Sequence, residues 1–191
     1  MNPLEKFNSI DTLIFDVDGV MTDSRLRVQE DGTLLRTMNV RDGYALKRAV
    51  QAGLTVCIIT GGRSEGVAIR LRNLGVQHIY HSIQDKLGAY QQFIEKYEID
   101  EERTLYMGDD LPDFDVMRKV ELPCCPRDAA HEIVEIAQYV SPYDGGDGCV
   151  RDVIEKILRL QDKWLSPTAA RYERNWEDRI NRTYFRTDDE N

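Results

Sequence analysis

Four apolar runs in this chain each lead into a cluster of polar residues, and the stretches between them carry helical spacing. TLIFDV (12–17) ends on Asp16 with Asp18 just beyond, and LTVCIIT (54–60) ends on Thr60 followed by Gly61 and Gly62. VQHIYHS (76–82) precedes Asp85 and Lys86, and TLYMGDD (104–110) ends on Asp109 and Asp110, with Asp113 three residues later. Continuous apolar runs of this length suit strands buried on both faces. DGYALKRAVQAG (42–53), SEGVAIRLRNLG (64–75) and DKLGAYQQFIEKYEI (85–99) read as helices, with Ser64 as a cap and Gly53 and Gly75 as stops. The alternation predicts an α/β fold, a doubly wound, Rossmann-like parallel sheet covered by helices on both faces.

Other segments fill in this plan. SRLRVQEDGTLLRTMNV (24–40) has two short alternating runs about Asp31 and Gly32, a hairpin signal. DFDVMRKV and AAHEIVEIA look helical, ELPCCP is a short strand or loop, QYVSPYDGGDGCV gives a short strand and a glycine-rich loop, and RDVIEKILRLQDKWL is a last helix. Residues 1–165 are expected to form one domain, large enough to bury about 70% of the unfolded surface. The polar, arginine-rich stretch 166–191 is expected to be a mobile or partner-bound tail.

Charge and composition exclude several classes of partner. A formal net charge of −9 opposes nucleic acid and anionic membrane surfaces, so any phosphate must be held by local cations. No apolar run approaches the roughly 20 residues of a membrane span, and MNPLEKFNSI lacks a basic start followed by an apolar stretch. A cytoplasmic location is expected. The cysteines, Cys57, Cys124, Cys125 and Cys149, form no C-x-x-C pair and read as reduced packing residues.

The polar clusters become chemistry once they are placed on one sheet. Ligands of open parallel sheets bind beyond the carboxyl ends of the strands, where residues distant in sequence converge. Asp16, Asp18, Thr60, Lys86, Asp109, Asp110 and Asp113 would meet there. Carboxylates crowded in this way suit a hard divalent cation, and oxygen ligands with retained waters suit magnesium. One carboxylate can then attack phosphorus while its neighbour two residues on serves the leaving oxygen as acid and later water as base. Lys86 and the Thr60 hydroxyl would hold the phosphoryl oxygens. Taken singly, each feature has a plainer explanation: D-x-D as a turn, Thr60 as a strand-end hydroxyl, Lys86 as a solvated helix residue, GDDLPD as a capped loop.

The four clusters together resemble the motifs of the haloacid dehalogenase superfamily of phosphotransferases: DVDGV, IITGG, DK at 85–86 and GDDLPD, in that order. The resemblance implies Asp16 as nucleophile and magnesium ligand, Asp18 as general acid/base and ligand through its main-chain carbonyl, and Asp109 as the third protein ligand. Asp110 and Asp113 would orient metal waters or Lys86. The intervals between motifs hold only a hairpin, helices and a strand, too little for a cap domain. Over about residues 9–160 the chain is similar to the small capless subgroup that includes 3-deoxy-D-manno-octulosonate 8-phosphate phosphatases, through NVRDGYALK, GDDLPDFDVM and GGDGCVRDVIEKIL. That subgroup implies hydrolysis of the eight-carbon keto-sugar-acid phosphate, a step toward lipopolysaccharide. It also implies a homotetramer built through the hairpins, with neighbouring subunits helping to cover each site. Substrate contacts are implied for Asn39, Val40, Arg41, Asp42 and Gly43, for Gly61, Gly62 and Arg63 in the second motif, and for Lys47 and Arg70 as cations. One departure stands out: those phosphatases carry arginine after ITG, whereas this chain has Gly62 followed by Arg63. A related nine-carbon sugar-acid phosphatase has glutamate there, so the carboxylate-binding cation is left between Arg63 and Arg70.

Three other readings compete. A nine-carbon keto-sugar-acid phosphatase would use the same chemistry. A receiver-type signalling module also combines a doubly wound sheet, magnesium, aspartate, threonine and lysine, but Asp18 suits turnover more than storage of a phosphoryl group. A silent oligomeric scaffold is opposed by the presence of every motif residue.

Overall fold

The computed structural model describes residues 3–165; the polar tail 166–191 lies outside the described residues. A six-stranded parallel sheet forms the centre. Its strands are β1 (Thr12–Phe15), β4 (Thr55–Ile59), β5 (His78–Tyr80), β6 (Thr104–Met107), β7 (Leu122–Cys125) and β8 (Tyr139–Val140), in spatial order β5-β4-β1-β6-β7-β8. The chain therefore winds outward from β1 to one side and then to the other, which places a crevice at the carboxyl end of β1.

Alternation along β1 explains the apolar run. Leu13 and Phe15 enter one core with Phe7, Ile58, Leu71 and Ile154, while Ile14 enters the other with Tyr90, Phe93, Tyr106 and Met117. Successive side chains point to opposite faces, so both must be apolar when both faces are covered. The first face carries α1 (Pro3–Ser9), α2 (Val40–Gln51), α3 (Glu65–Asn73) and α7 (Cys149–Leu160). The second carries α4 (Lys86–Tyr97), α5 (Phe114–Met117) and α6 (His131–Ile136).

Local chemistry sets the helix ends. Ser64 Oγ accepts from Val67 N and Asp85 from Gly88 N, as side-chain caps do. The helix expected from residue 42 starts at Val40 instead, because Asn39 Oδ1 accepts from Arg41 N at 2.8 Å and takes the cap. Helix α7 likewise begins two residues before the expected 151. Helix α1 was not foreseen: it has only seven residues, and it is held by burial of Phe7 against Tyr139. ELPCCP forms β7, pairing with both β6 and β8.

The hairpin is present but short. β2 (Arg27–Val28) pairs antiparallel with β3 (Leu34–Leu35), and the turn places Gly32 at φ +82° with Asp31 Oδ1 accepting from Thr33 N. No cap domain is inserted among the described residues. Arg48, 2% exposed on α2, donates to the carbonyls of Lys163 and Trp164 and so secures the chain beyond α7. No helix of the described residues is long and apolar enough to cross a membrane.

Candidate active site

Asp16 leaves β1 as its backbone N–H donates to Met107 O at 3.1 Å, which keeps the strand in register to its last residue. The chain then turns sharply: Val17 O accepts from Val20, Met21 and Thr22, and Gly19 adopts φ +101°. Glycine is required here twice over, for its left-handed backbone and because a Cβ would overlap the Asp109 carboxylate. The loop at 145–146 closes from the other side, Gly146 N donating to Val20 O at 2.9 Å.

The ends of β1, β4 and β6 and the start of α4 meet around a cavity of about 380 Å³ lined by Asp16, Asp18, Thr60, Lys86, Asp109 and Asp113, among others. Lys86 Nζ sits 3.0 Å from Asp16 Oδ2 and 2.6 Å from Asp113 Oδ1. All three side chains are buried. Asp113 is saturated: Oδ1 also accepts from Tyr106 Oη at 2.6 Å, and Oδ2 accepts from Asp109 N at 3.2 Å and Asp110 N at 3.5 Å. It therefore holds Lys86 and the 109–113 loop and has no lone pair to spare. Asp110 caps that loop, accepting from Leu111 N at 2.8 Å, with its side chain exposed.

A divalent cation fits this arrangement. Oxygen atoms of Asp16, Asp109 and Asp113 lie within 4.8 Å of one another. Asp16 Oδ1 and Asp109 Oδ1 are buried and accept no hydrogen bond. Burial, then the charge of Asp113, lifts the Asp16 carboxyl to about 6 against the pull of Lys86. Burial, then the charges of Asp16 and Asp113, lifts Asp109 to about 8. Burial works against the Lys86 ammonium, but Asp16 and Asp113 outweigh it and raise its pKa. One lysine does not neutralise three clustered acids, and the two open carboxylate oxygens are the atoms that a metal would use.

On the phosphoryl side, the Thr60 hydroxyl accepts from Gly62 N at 3.2 Å, and a Cβ on Gly61 would press on Ile83 O at 3.3 Å. Asp18 is joined by Arg36, whose Nε and Nη2 donate to its two oxygens at 2.6 and 2.8 Å. Arg36, Tyr106, Ser24 and Gln84 were not anticipated. Tyr106 had a readable signal, a phenol one residue from the end of a buried strand that needs a polar partner. Arg36 had none, since a basic residue at the base of a hairpin is ordinary.

The remaining candidates are placed elsewhere. Asn39 and Arg41 line a second cavity of about 780 Å³ between α2 and α7, with Tyr143 and Arg151. Val40 is exposed, and Lys47 is half-buried on α2. Asp42 points inward and accepts from Arg151 N at 2.8 Å, capping α7; burial, the largest influence, lifts its carboxyl to about 6. Arg70 lies against Gly43, where a Cβ would come 2.9 Å from its Nη2, and its buried Nε has no partner. Arg63 is exposed at the rim of the loop after β4.

Comparison with known proteins bears on this geometry. The haloacid dehalogenase-like hydrolase family matches residues 73–153. The 3-deoxy-D-manno-octulosonate 8-phosphate phosphatase KdsC of Yersinia pestis is 38% identical over 166 residues, 87% of this chain and 89% of the relative. The chain belongs to the haloacid dehalogenase-like hydrolases. A crystal structure of the Yersinia pestis phosphatase superposes with a TM-score of 0.81 at 38% identity, covering 84% of this chain and 86% of that one. The Moraxella catarrhalis phosphatase, solved with magnesium, phosphate and KDO, superposes at 0.81 with 29% identity, covering 91% and 97%. This haloacid dehalogenase-like hydrolase thus shares its fold with 3-deoxy-D-manno-octulosonate 8-phosphate phosphatases.

Proposed function

We propose that the protein hydrolyses 3-deoxy-D-manno-octulosonate 8-phosphate to the free sugar acid and phosphate, with Asp16 as nucleophile. The observation that carries this reading is the buried Asp16–Lys86–Asp113 chain beside Asp109 and Asp18 in a single cavity. An Asp16 oxygen forms a bond to phosphorus as the ester P–O bond breaks, and the leaving alkoxide takes a proton from Asp18. Asp18 then takes a proton from water, whose oxygen attacks phosphorus and releases Asp16. Thr60, Lys86 and the backbone N–H groups after β4 hold the phosphoryl oxygens, and Asp113 and Tyr106 keep Lys86 aimed at them. Magnesium, held by Asp16, Asp109 and the main-chain carbonyl of Asp18, supplies positive charge to the phosphoryl oxygens when bound. Arg70 and Arg63 are the cations proposed for the sugar carboxylate, and Asn39, Val40, Arg41, Gly43 and Lys47 are proposed to reach substrate in the assembled protein, whereas the inward-turned Asp42 is left as the cap of α7.

The test is a panel of sugar phosphates with magnesium. The eight-carbon keto acid should rank among the best by kcat/KM, and a preference for the nine-carbon acid would move the assignment to the neighbouring specificity. Metal binding is read separately. With magnesium at about 100 times its Kd, linkage stabilises the folded state by about 2.7 kcal/mol, raising Tm by about 5–10 °C over the protein in EDTA. An unchanged Tm would contradict the proposed ligand set.

The domain is proposed to comprise residues 1–165 and to act as a cytoplasmic homotetramer. Free, buried cysteines support the location. Leu26, Val28, Leu34 and Leu35 on the hairpin are 41–68% exposed, an apolar patch on a projecting element that suits burial against another copy. Sedimentation should give about four chain masses, with Val28→Glu shifting the protein to smaller species; a monomeric parent would contradict the assembly.

A further inference from the structure

Arg36 is held in a way that a surface ion pair does not explain. Its side chain is 4% exposed, whereas that of its partner Asp18 is 32% exposed. Arg36 lines a small, mainly apolar recess with Val17, Ile58, Val67 and Leu71, while Asp18 lines the acidic cavity. Nη1 is buried without a partner, so the placement is not one that best satisfies the arginine itself. Among the described residues, both hydrogen bonds to the Asp18 carboxylate come from this one side chain. Asp18 stands two residues beyond Asp16 in a turn, where its carboxylate would otherwise rotate freely.

Gly62 completes the arrangement. A Cβ at this position would stand 2.6 Å from Asp18 Oδ2 and 2.8 Å from Arg36 Nη2. The fork between guanidinium and carboxylate fits only because residue 62 has no side chain. Arg36 directly follows β3, so the hairpin delivers the clamp.

We infer that Arg36 is a positioning residue for proton transfer by Asp18, and that Gly62 provides the space in which it acts. A planar fork fixes both carboxylate oxygens at once, which a lysine ammonium does not do. The inference rests on the proposed acid/base role of Asp18.

The test is steady-state kinetics with magnesium and the octulosonate phosphate for the parent, Asp18→Asn, Arg36→Met, Arg36→Lys, Gly62→Ala and the Arg36→Met/Gly62→Ala double variant. Arg36→Met should lower kcat about 10- to 100-fold with KM within about threefold, the pattern of lost orientation with retained binding. Arg36→Lys should recover part of that loss. Gly62→Ala should reproduce it, and the double variant should be no worse than the poorer single one, because both changes break the same contact. Should Arg36→Met not fold, Gly62→Ala reads the same contact. If kcat is unchanged or rises on loss of the clamp while Asp18→Asn is inactive, the positioning role is wrong and the proposed function stands. A raised KM at constant kcat would instead make Arg36 a substrate-binding group and equally overturn the inference. If Asp18→Asn turns over like the parent, the reading of Asp18 fails and the inference with it.

Discussion

Asp16→Asn should abolish phosphate release, by about 10⁴-fold or more in kcat, while leaving the fold intact. The amide keeps the volume and the acceptor that faces Lys86, but it has no anionic oxygen with which to attack phosphorus. Stability should not suffer in EDTA. Burial and Asp113 hold the Asp16 carboxyl at about 6 against an ordinary 3.8, so its folded pKa is raised. A carboxyl with a raised folded pKa costs stability above that value and is relieved as pH falls toward the unfolded one. At pH 7 the charge therefore costs at most about 3 kcal/mol. The variant should melt no lower than the parent at pH 7 and lose part of the parent's gain in Tm between pH 6 and 4. Circular dichroism melts and phosphate-release assays check both halves, and residual turnover near the parental rate would remove Asp16 from the mechanism.

Lys86→Met should damage stability and activity together. The ammonium bridges Asp16 and Asp113 in a buried site, at 3.0 and 2.6 Å, and Asp109 lies in the same cluster. Breaking a buried pair from one side leaves uncompensated charge and costs about 3–5 kcal/mol, a fall of about 6–20 °C in Tm for a chain of this size. Lys86 also holds down the carboxyls of Asp16, at about 6, and Asp109, at about 8; without it they take up protons more readily as pH falls, so the deficit should be smaller at pH 6 than at pH 8. Turnover should fall about 10²–10³-fold, as when one preorganised electrostatic donor is removed. Magnesium should restore part of the Tm and little of the kcat. A variant with parental Tm and kcat would mean that the lysine is only a buried counter-ion of no consequence.

Much of this site was legible because the sheet imposes it. β1, β4 and β6 are short, apolar and buried on both faces, so their continuous hydrophobic runs identify them, and the polar residue at each carboxyl end marks the crevice. Ser64 announces its helix through local capping chemistry, whereas Asp85, read as the first helical residue, turns out to be the cap of α4. The contacts that escaped depend on tertiary packing. Nothing around Arg36 indicates that it will cross to Asp18, because the partner is set by how the hairpin leaves the sheet. Asp42 is itself expected to touch substrate, yet it turns inward to cap α7, a contact across more than 100 residues. Asp113 resembles its acidic neighbours in sequence, and only the convergence of Tyr106, Lys86 and Asp109 N on its two oxygens distinguishes it as the holder of Lys86.

The central claim is that Asp16 carries the phosphoryl group between the two half-reactions. Rapid acid quench of the protein with substrate labelled in its phosphoryl group, followed by peptide mapping, tests it directly. The account predicts a hydroxylamine-labile label on the peptide containing Asp16, formed and lost at rates compatible with kcat and absent in Asp16→Asn. A label on another residue, or parental turnover with no labelled protein at any quench time, would contradict it.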